Sequence, residues 1–166
     1  MQADKQAAEP LEHRLGRIEL PEARYKADID LHDRSIQFSA ELVRLALAGI
    51  AVAGFLLAQV PEALRDVLFG TLYLKLLLAG GVFAFAASAG FALLHRYFAG
   101  GAAFHHLQVL KLLKLEDANR AGELEQELRI RTQLFLRCHR FLTLAAALLV
   151  AGSGLLGATF ILAILK

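Results

Sequence analysis

Four histidines near the ends of apolar segments are the first candidates for chemistry, because imidazole binds metals and carries protons near neutral pH. They are His95, His105, His106 and His139. The adjacent pair His105–His106 points to different faces of a helix, and no carboxylate lies near it in sequence. We therefore predict histidines that pack or are solvated at helix ends, with no metal site; a metal site at the membrane surface is the alternative.

Sequence patterns of catalytic sites do not occur in the chain. There is no P-loop, GxSxG, HExxH or dinucleotide fingerprint. Cys138 is the single cysteine, which excludes an intramolecular disulfide and a CxxC metal site. The sequence predicts a protein that is not an enzyme and binds no cofactor.

Three long segments of the 166-residue chain contain no Asp, Glu, Lys or Arg: residues 45–60, 76–94 and 141–165. A soluble helix of such length needs a polar face, whereas crossing a bilayer takes about 20 mostly apolar helical residues. With 57% apolar residues overall, the chain is not an ordinary soluble enzyme. We predict an all-α fold, a membrane helical bundle with three transmembrane helices and cytoplasmic helical extensions.

Helix-breaking residues and turn signals divide the chain. Pro61 ends the first predicted helix, and Gly100–Gly101 are expected to kink or end the second. Residues 116–122 form the best turn signal of the second half. The predicted parts are a mobile polar tail at 1–20, a cytoplasmic helix at 21–60 that becomes the first span at about 40, a short link at 61–66, a second span at 67–98, a cytoplasmic helical hairpin at 99–140 and a third span at 141–165.

Basic residues concentrate in two regions. Seven Lys and Arg occur up to Arg44 and eight between Arg96 and Arg140, against only Arg65 and Lys75 near the first turn. Cytoplasmic segments carry an excess of Lys and Arg. The tail and the hairpin are therefore predicted to be cytoplasmic, and the 61–66 link and the C-terminus external.

Small residues recur along the spans. Gly80, Ala84 and Ser88 follow one another at four-residue intervals in the second span, and Gly154 and Gly157 lie in the third. Small side chains let helices approach closely in lipid. Packing within one three-helix bundle and packing against other copies are both consistent with this pattern. Because a single bundle does not need such stripes on every span, a homo-oligomer is favoured.

Lys75 is the single ionisable side chain well inside an apolar run. Such a group extends to the membrane surface or faces a water-filled pathway, and both interpretations stay open. In a symmetric pore, a ring of ammonium groups would favour anions. Gln59, Thr71, Ser88 and Ser153 are the other pore-lining candidates.

Five cytoplasmic arginines are candidates for sensing an anionic ligand, either a nucleotide-type molecule or lipid headgroups. They alternate with glutamates, which is also typical of a solvated helix face. They are Arg120, Arg129, Arg131, Arg137 and Arg140.

Residues 24–57 contain an "LHDRSI-F" element, formed by Leu31, His32, Asp33, Arg34, Ser35, Ile36 and Phe38. This stretch resembles small bacterial membrane proteins in which an N-terminal helix runs into the first span, and it is similar to the SLATT-type membrane effectors of antiviral defence systems. The resemblance implies a multi-pass pore former of the bacterial inner membrane, controlled by the product of a partner nucleotidyltransferase.

The leading prediction is a homo-oligomeric pore or ion channel, with a tetramer favoured, that acts in abortive-infection defence. A nucleotide-type signal would gate it through the cytoplasmic helices, and membrane lipid would surround it. The alternative is a non-catalytic structural or accessory subunit of a larger membrane complex, which explains the missing chemistry equally well.

Overall fold

Helices form nearly all of the part of the chain that the computed structural model describes, residues 25–114 and 121–165. No strand occurs in these ranges, so the predicted all-α helical bundle is confirmed. The helices are α1 (Lys26–Gln59), α2 (Glu62–Gly70), α3 (Leu72–Lys114) and α4 (Ala121–Ile164). The predicted tail at 1–20, the start of the first helix at 21–24, most of the 116–122 turn and Arg120 lie outside the described residues.

Helices α1, α3 and α4 are each long and apolar enough to cross a membrane, by length and composition. The protein is therefore a multi-pass membrane protein. Helix α3 has 43 residues and α4 has 44. At 1.5 Å per residue each is about 65 Å long, roughly twice the hydrocarbon thickness of a bilayer. Both helices therefore continue beyond any bilayer that they cross.

The link after α1 differs from the short turn expected at 61–66. Val60 takes an extended conformation before Pro61, as the residue before a proline prefers. Pro61 then starts the nine-residue helix α2, in which the amide of Arg65 donates to the Pro61 carbonyl. Leu68 of α2 is buried in one cluster with Leu74 of α3. The link is helical because its apolar side covers the ends of the long helices.

Gly100 and Gly101 do not end α3, which continues to Lys114. Each glycine lowers intrinsic helix stability by about 1 kcal/mol, but tertiary packing on both sides outweighs this cost. Ala99 and Ala102 are buried against Cys138 of α4 in a single cluster. The two arms of the predicted hairpin at 99–140 are thus continuations of α3 and α4.

Glycines let the three long helices approach one another around Phe85 of α3. A Cβ atom on Gly49 of α1 would stand 2.6 Å from the Phe85 ring, and one on Gly152 of α4 would stand 3.3 Å from it. A Cβ on Gly81 would lie 2.9 Å from Leu156. The core between the spans therefore depends on these glycines having no side chain.

Ser88 ties α3 to α4 inside the bundle, where its hydroxyl donates to the Ala145 carbonyl at 2.7 Å. We expect Ser88→Ala to lower the free energy of unfolding by about 1 kcal/mol, the usual size of an interhelical hydrogen bond in a membrane protein. Ser153→Ala is the matched control, because the exposed Ser153 hydroxyl bonds only to Leu149 of its own helix. Unfolding of the detergent-solubilised protein by added SDS measures both, and equal losses would contradict the prediction.

Candidate functional site

The predicted pore-lining residues do not come together in one place. Gln59 and Lys75 are exposed and Thr71 is half-buried, all at the end of the bundle where α1 passes through α2 into α3. Ser153 is exposed on α4. Ser88, by contrast, is fully buried between α3 and α4. It packs the helices together and has no surface with which to line a pore between copies.

The small-residue candidates divide into two groups. Ala84 is buried inside the bundle, and a Cβ on Gly80 would lie 3.6 Å from Leu155, so Gly80 belongs to the contact between α3 and α4. Gly154 and Gly157 are exposed, and within the described part of the chain no atom of another element lies within 4 Å of their Cβ positions. Packing inside the protomer accounts for the first group and leaves the second unexplained.

A cavity of about 660 Å³ lies between α1, α3 and α4. Of its lining residues, Leu142 lies inside a charge-free segment and the others lie beyond these segments. Histidines from all three helices line it: His32 of α1, His95 and His106 of α3, and His139 of α4. Arg131 is the member of the arginine set that lines it. Arg129, Arg137 and Arg140 are exposed on α4.

Three side chains form a hydrogen-bonded group at the end of the cavity farther from the spans. His106 Nε2 lies 2.9 Å from Asp28 Oδ2, and Arg131 Nη1 lies 3.4 Å from His106 Nδ1. A neutral imidazole protonated at Nε2 satisfies both contacts, because Nε2–H donates to the carboxylate while Nδ1 accepts from the guanidinium. The neighbouring His105 points away, to Glu127 at 2.7 Å.

Unpartnered imidazole nitrogens characterise the end nearer the spans. His95 is only 2% exposed, and its Nε2 lies 3.0 Å from Ser35 Oγ. Its Nδ1, like Nε2 of His32, is buried with no hydrogen-bond partner among the described residues. A buried polar atom without a partner costs about 1–3 kcal/mol. Each nitrogen therefore keeps an unused hydrogen-bonding capacity, but neither is accessible from the cavity.

Alanines on α3 create the space that the cavity occupies. Ala99 and Ala102 are fully buried and Ala103 is half-buried, so between His95 and His106 only short side chains of α3 line the cavity. Cys138 lies opposite, and burial raises the pKa of its thiol. A thiol with a raised pKa is a poor nucleophile, and Cys138 therefore acts as a small apolar wall residue.

The polar side chains that line the cavity define the chemistry that it can support. Ser35 Oγ lies 3.0 Å from His95 Nε2, within the distance of a hydroxyl from an adjacent base. In residues 25–114 and 121–165 no three His, Cys, Asp or Glu side chains are grouped closely enough to hold a metal ion. The lining combines apolar side chains with one guanidinium, the Asp28 carboxylate and four imidazoles. This arrangement can bind a ligand that carries an oxyanion.

The α1 side of the cavity was not identified from the sequence as a binding surface. Asp28, His32 and Ser35 are spaced i, i+4 and i+7, which puts them on one face of a helix. Two of the three belong to the "LHDRSI-F" element. This spacing could have been recognised in the sequence as one polar helix face. Only the packing of α1 against α3 shows that the face meets His95 and His106.

Comparison of the chain with protein-family models, with curated proteins and with solved structures gives no match.

Proposed function

We propose that the chain is the protomer of a homo-oligomeric membrane pore or ion channel. The observation that carries this proposal is the exposed face of α4 at Gly154 and Gly157, which residues 25–114 and 121–165 do not use for packing within the protomer. Glycines on a lipid-facing surface are where a second helix packs closely. Helix α1 has an exposed, open position of the same kind at Gly54. Two different glycine faces on one protomer suit a head-to-tail ring, and a tetramer is the proposed size.

The gate lies in the helical extensions beyond the spans. Helices α3 and α4 run without interruption from these extensions into the membrane segments. A displacement of the extensions would therefore be transmitted to the spans through two continuous helices. The proposed signal is a nucleotide-type anion, for which Arg129, Arg137 and Arg140 present exposed guanidinium groups.

The proposed setting is the bacterial inner membrane, with the N-terminus in the cytoplasm. The excess of Lys and Arg on the N-terminal segment and between Arg96 and Arg140 supports this orientation. The proposed role in abortive-infection defence rests on the resemblance of residues 24–57 alone. A bacteriophage challenge tests that role. It compares bacteria that carry the gene together with its neighbouring genes and bacteria that carry the gene alone. Protection that does not require this chain would contradict it.

Recording currents from the purified protein in a planar bilayer tests the pore directly, and we expect Lys75→Glu to reverse its ion preference. A ring of carboxylates in place of ammonium groups attracts cations instead of anions. The reversal potential in a KCl gradient should therefore change sign. Arg65→Glu is the matched control, because it makes the same charge change on exposed α2 at the same end of the bundle. An equal effect of both variants would mean that Lys75 is a surface charge; silence under all ligand conditions would count against the pore.

The second candidate function is a non-catalytic subunit of a larger membrane complex. The same open face at Gly154 and Gly157 favours it, because a helix of a different protein could pack there. Purification in mild detergent separates the two candidates. A symmetric oligomer of this chain supports the pore, whereas a stoichiometric foreign chain that cannot be removed supports the subunit.

A further inference from the structure

The cavity joins the surface of the membrane spans to the charged extensions. On α4 it extends from Arg131 to Leu142, a distance of about 16 Å along the helix. Leu142 already belongs to the charge-free segment 141–165. Leu31 and Leu136, which also line the cavity, are 69% and 53% exposed. Apolar side chains of α4 therefore continue from the charge-free segment along the cavity, from Leu142 through Cys138 to Phe135.

The polar groups inside the cavity suit an oxyanion. The Arg131 guanidinium is held by His106 and has no carboxylate within ion-pair distance in the described part of the chain. Nδ1 of His95 and Nε2 of His32 are buried and lack partners there. A guanidinium forms strong, often bidentate hydrogen bonds to phosphate oxygens. The carboxylate of Asp28 also lines the cavity, but His106 donates to it.

We propose that this cavity binds an anionic lipid from the surrounding bilayer, with its phosphate at Arg131 and an acyl chain along Phe135 and Leu142. The volume of about 660 Å³ lies in the range of small-molecule sites. The lipid enters sideways between α1 and α4, past Leu31 and Leu136. This inference does not rest on the proposed pore activity, and it assigns to the cavity a ligand other than the nucleotide-type signal.

A lipid fits the cavity better than a nucleotide does. The apolar part of the lining consists of Leu142, Phe135 and the α3 alanines, and a ribose or a base placed there would lose its hydrogen bonds to water without replacing them. An acyl chain loses nothing by the same transfer and gains from the burial of its methylene groups. The cavity therefore suits an amphiphilic ligand with one acidic end.

Native mass spectrometry of the full chain, exchanged into non-ionic detergent and freed of lipid, tests the proposal. The probe is lysophosphatidic acid, compared with lysophosphatidylcholine and with AMP. We expect a single lysophosphatidic acid per protomer. Arg131→Gln should weaken binding about tenfold or more, since it removes a charge-assisted hydrogen bond from a largely apolar site. Arg129→Gln is the matched control on an exposed position of α4 and should change the affinity by less than about twofold.

A second variant tests the space itself. Ala103→Leu places a larger side chain in the cavity without touching the polar groups and should block the lipid; Ala86→Leu, on an exposed position of α3, should not. AMP binding that matches lysophosphatidic acid and depends on Arg131 would overturn the lipid assignment. Equal binding of lysophosphatidylcholine, or no effect of either cavity variant, would overturn it as well. Conductance is measured separately in planar bilayers, so failure of the lipid proposal and failure of the pore proposal are distinguishable.

Discussion

Gly152→Leu is expected to separate α3 from α4 and to destabilise the bundle severely. A Cβ at this position would stand 3.1 Å from the Gly81 carbonyl oxygen and 3.3 Å from the Phe85 ring. The first of these neighbours is backbone and cannot rotate away, so the helices themselves must move apart. Overpacking of a core costs about 1–3 kcal/mol and occasionally more. We expect a loss at or above the upper end of that range.

Gly154→Leu is the control for this variant, because it makes the same chemical change two residues away. Gly154 is exposed, and its Cβ direction is open within the described protomer. The stability of the protomer should therefore be almost unaffected. Titration with SDS, followed by circular dichroism, gives the free energy of unfolding of both variants. Similar values for the two would mean that α3 and α4 are not packed through Gly81 and Gly152.

The double variant Gly154→Leu/Gly157→Leu is expected to dissociate the oligomer and to abolish conductance while the protomer stays folded. Two leucines on this face prevent the close approach of a second helix that the glycines allow. Light scattering in mild detergent should give the mass of a single chain plus its detergent. Planar bilayers containing the variant should carry no current.

Gly90→Leu serves as the comparison for the double variant, because Gly90 is an exposed glycine of α3 with open space at its Cβ. It should keep both the oligomer and the current. An oligomer that survives leucine at 154 and 157 would show that the copies meet through another face. A foreign chain lost from the double variant, with no change in self-association, would favour the accessory subunit over the pore.

The continuity of α3 and α4 gives the two proposed ligands a common way to act. The cavity occupies the extensions at the level of His106 and Arg131, and the Ser88–Ala145 hydrogen bond joins the same two helices inside the spans. A lipid between α1 and α4 would set the spacing of the extensions. An anionic signal on the exposed arginines of α4 would change it. Both effects would reach the spans through the α3–α4 contact.

The membrane spans could be predicted from the sequence because the hydrophobicity and the length of an apolar segment are local properties. A run such as 141–165 without a charged residue has few alternatives to a helix in lipid. The all-α fold followed for the same reason. The continuation of α3 through Gly100 and Gly101 could not be predicted from the sequence. The local preference of glycine is weak compared with the packing of Ala99 and Ala102 on α4.

The roles of the individual small and polar residues were decided by the tertiary structure. Ser88 and Ser153 look alike in the sequence, yet one is buried between helices and the other is exposed. Gly152 and Gly154 differ in the same way. Which side of a helix faces a neighbour depends on how that helix is rotated in the bundle, and no single apolar span specifies its own rotation. The cavity has the same origin: it exists only where the faces carrying His32, His95 and Arg131 meet.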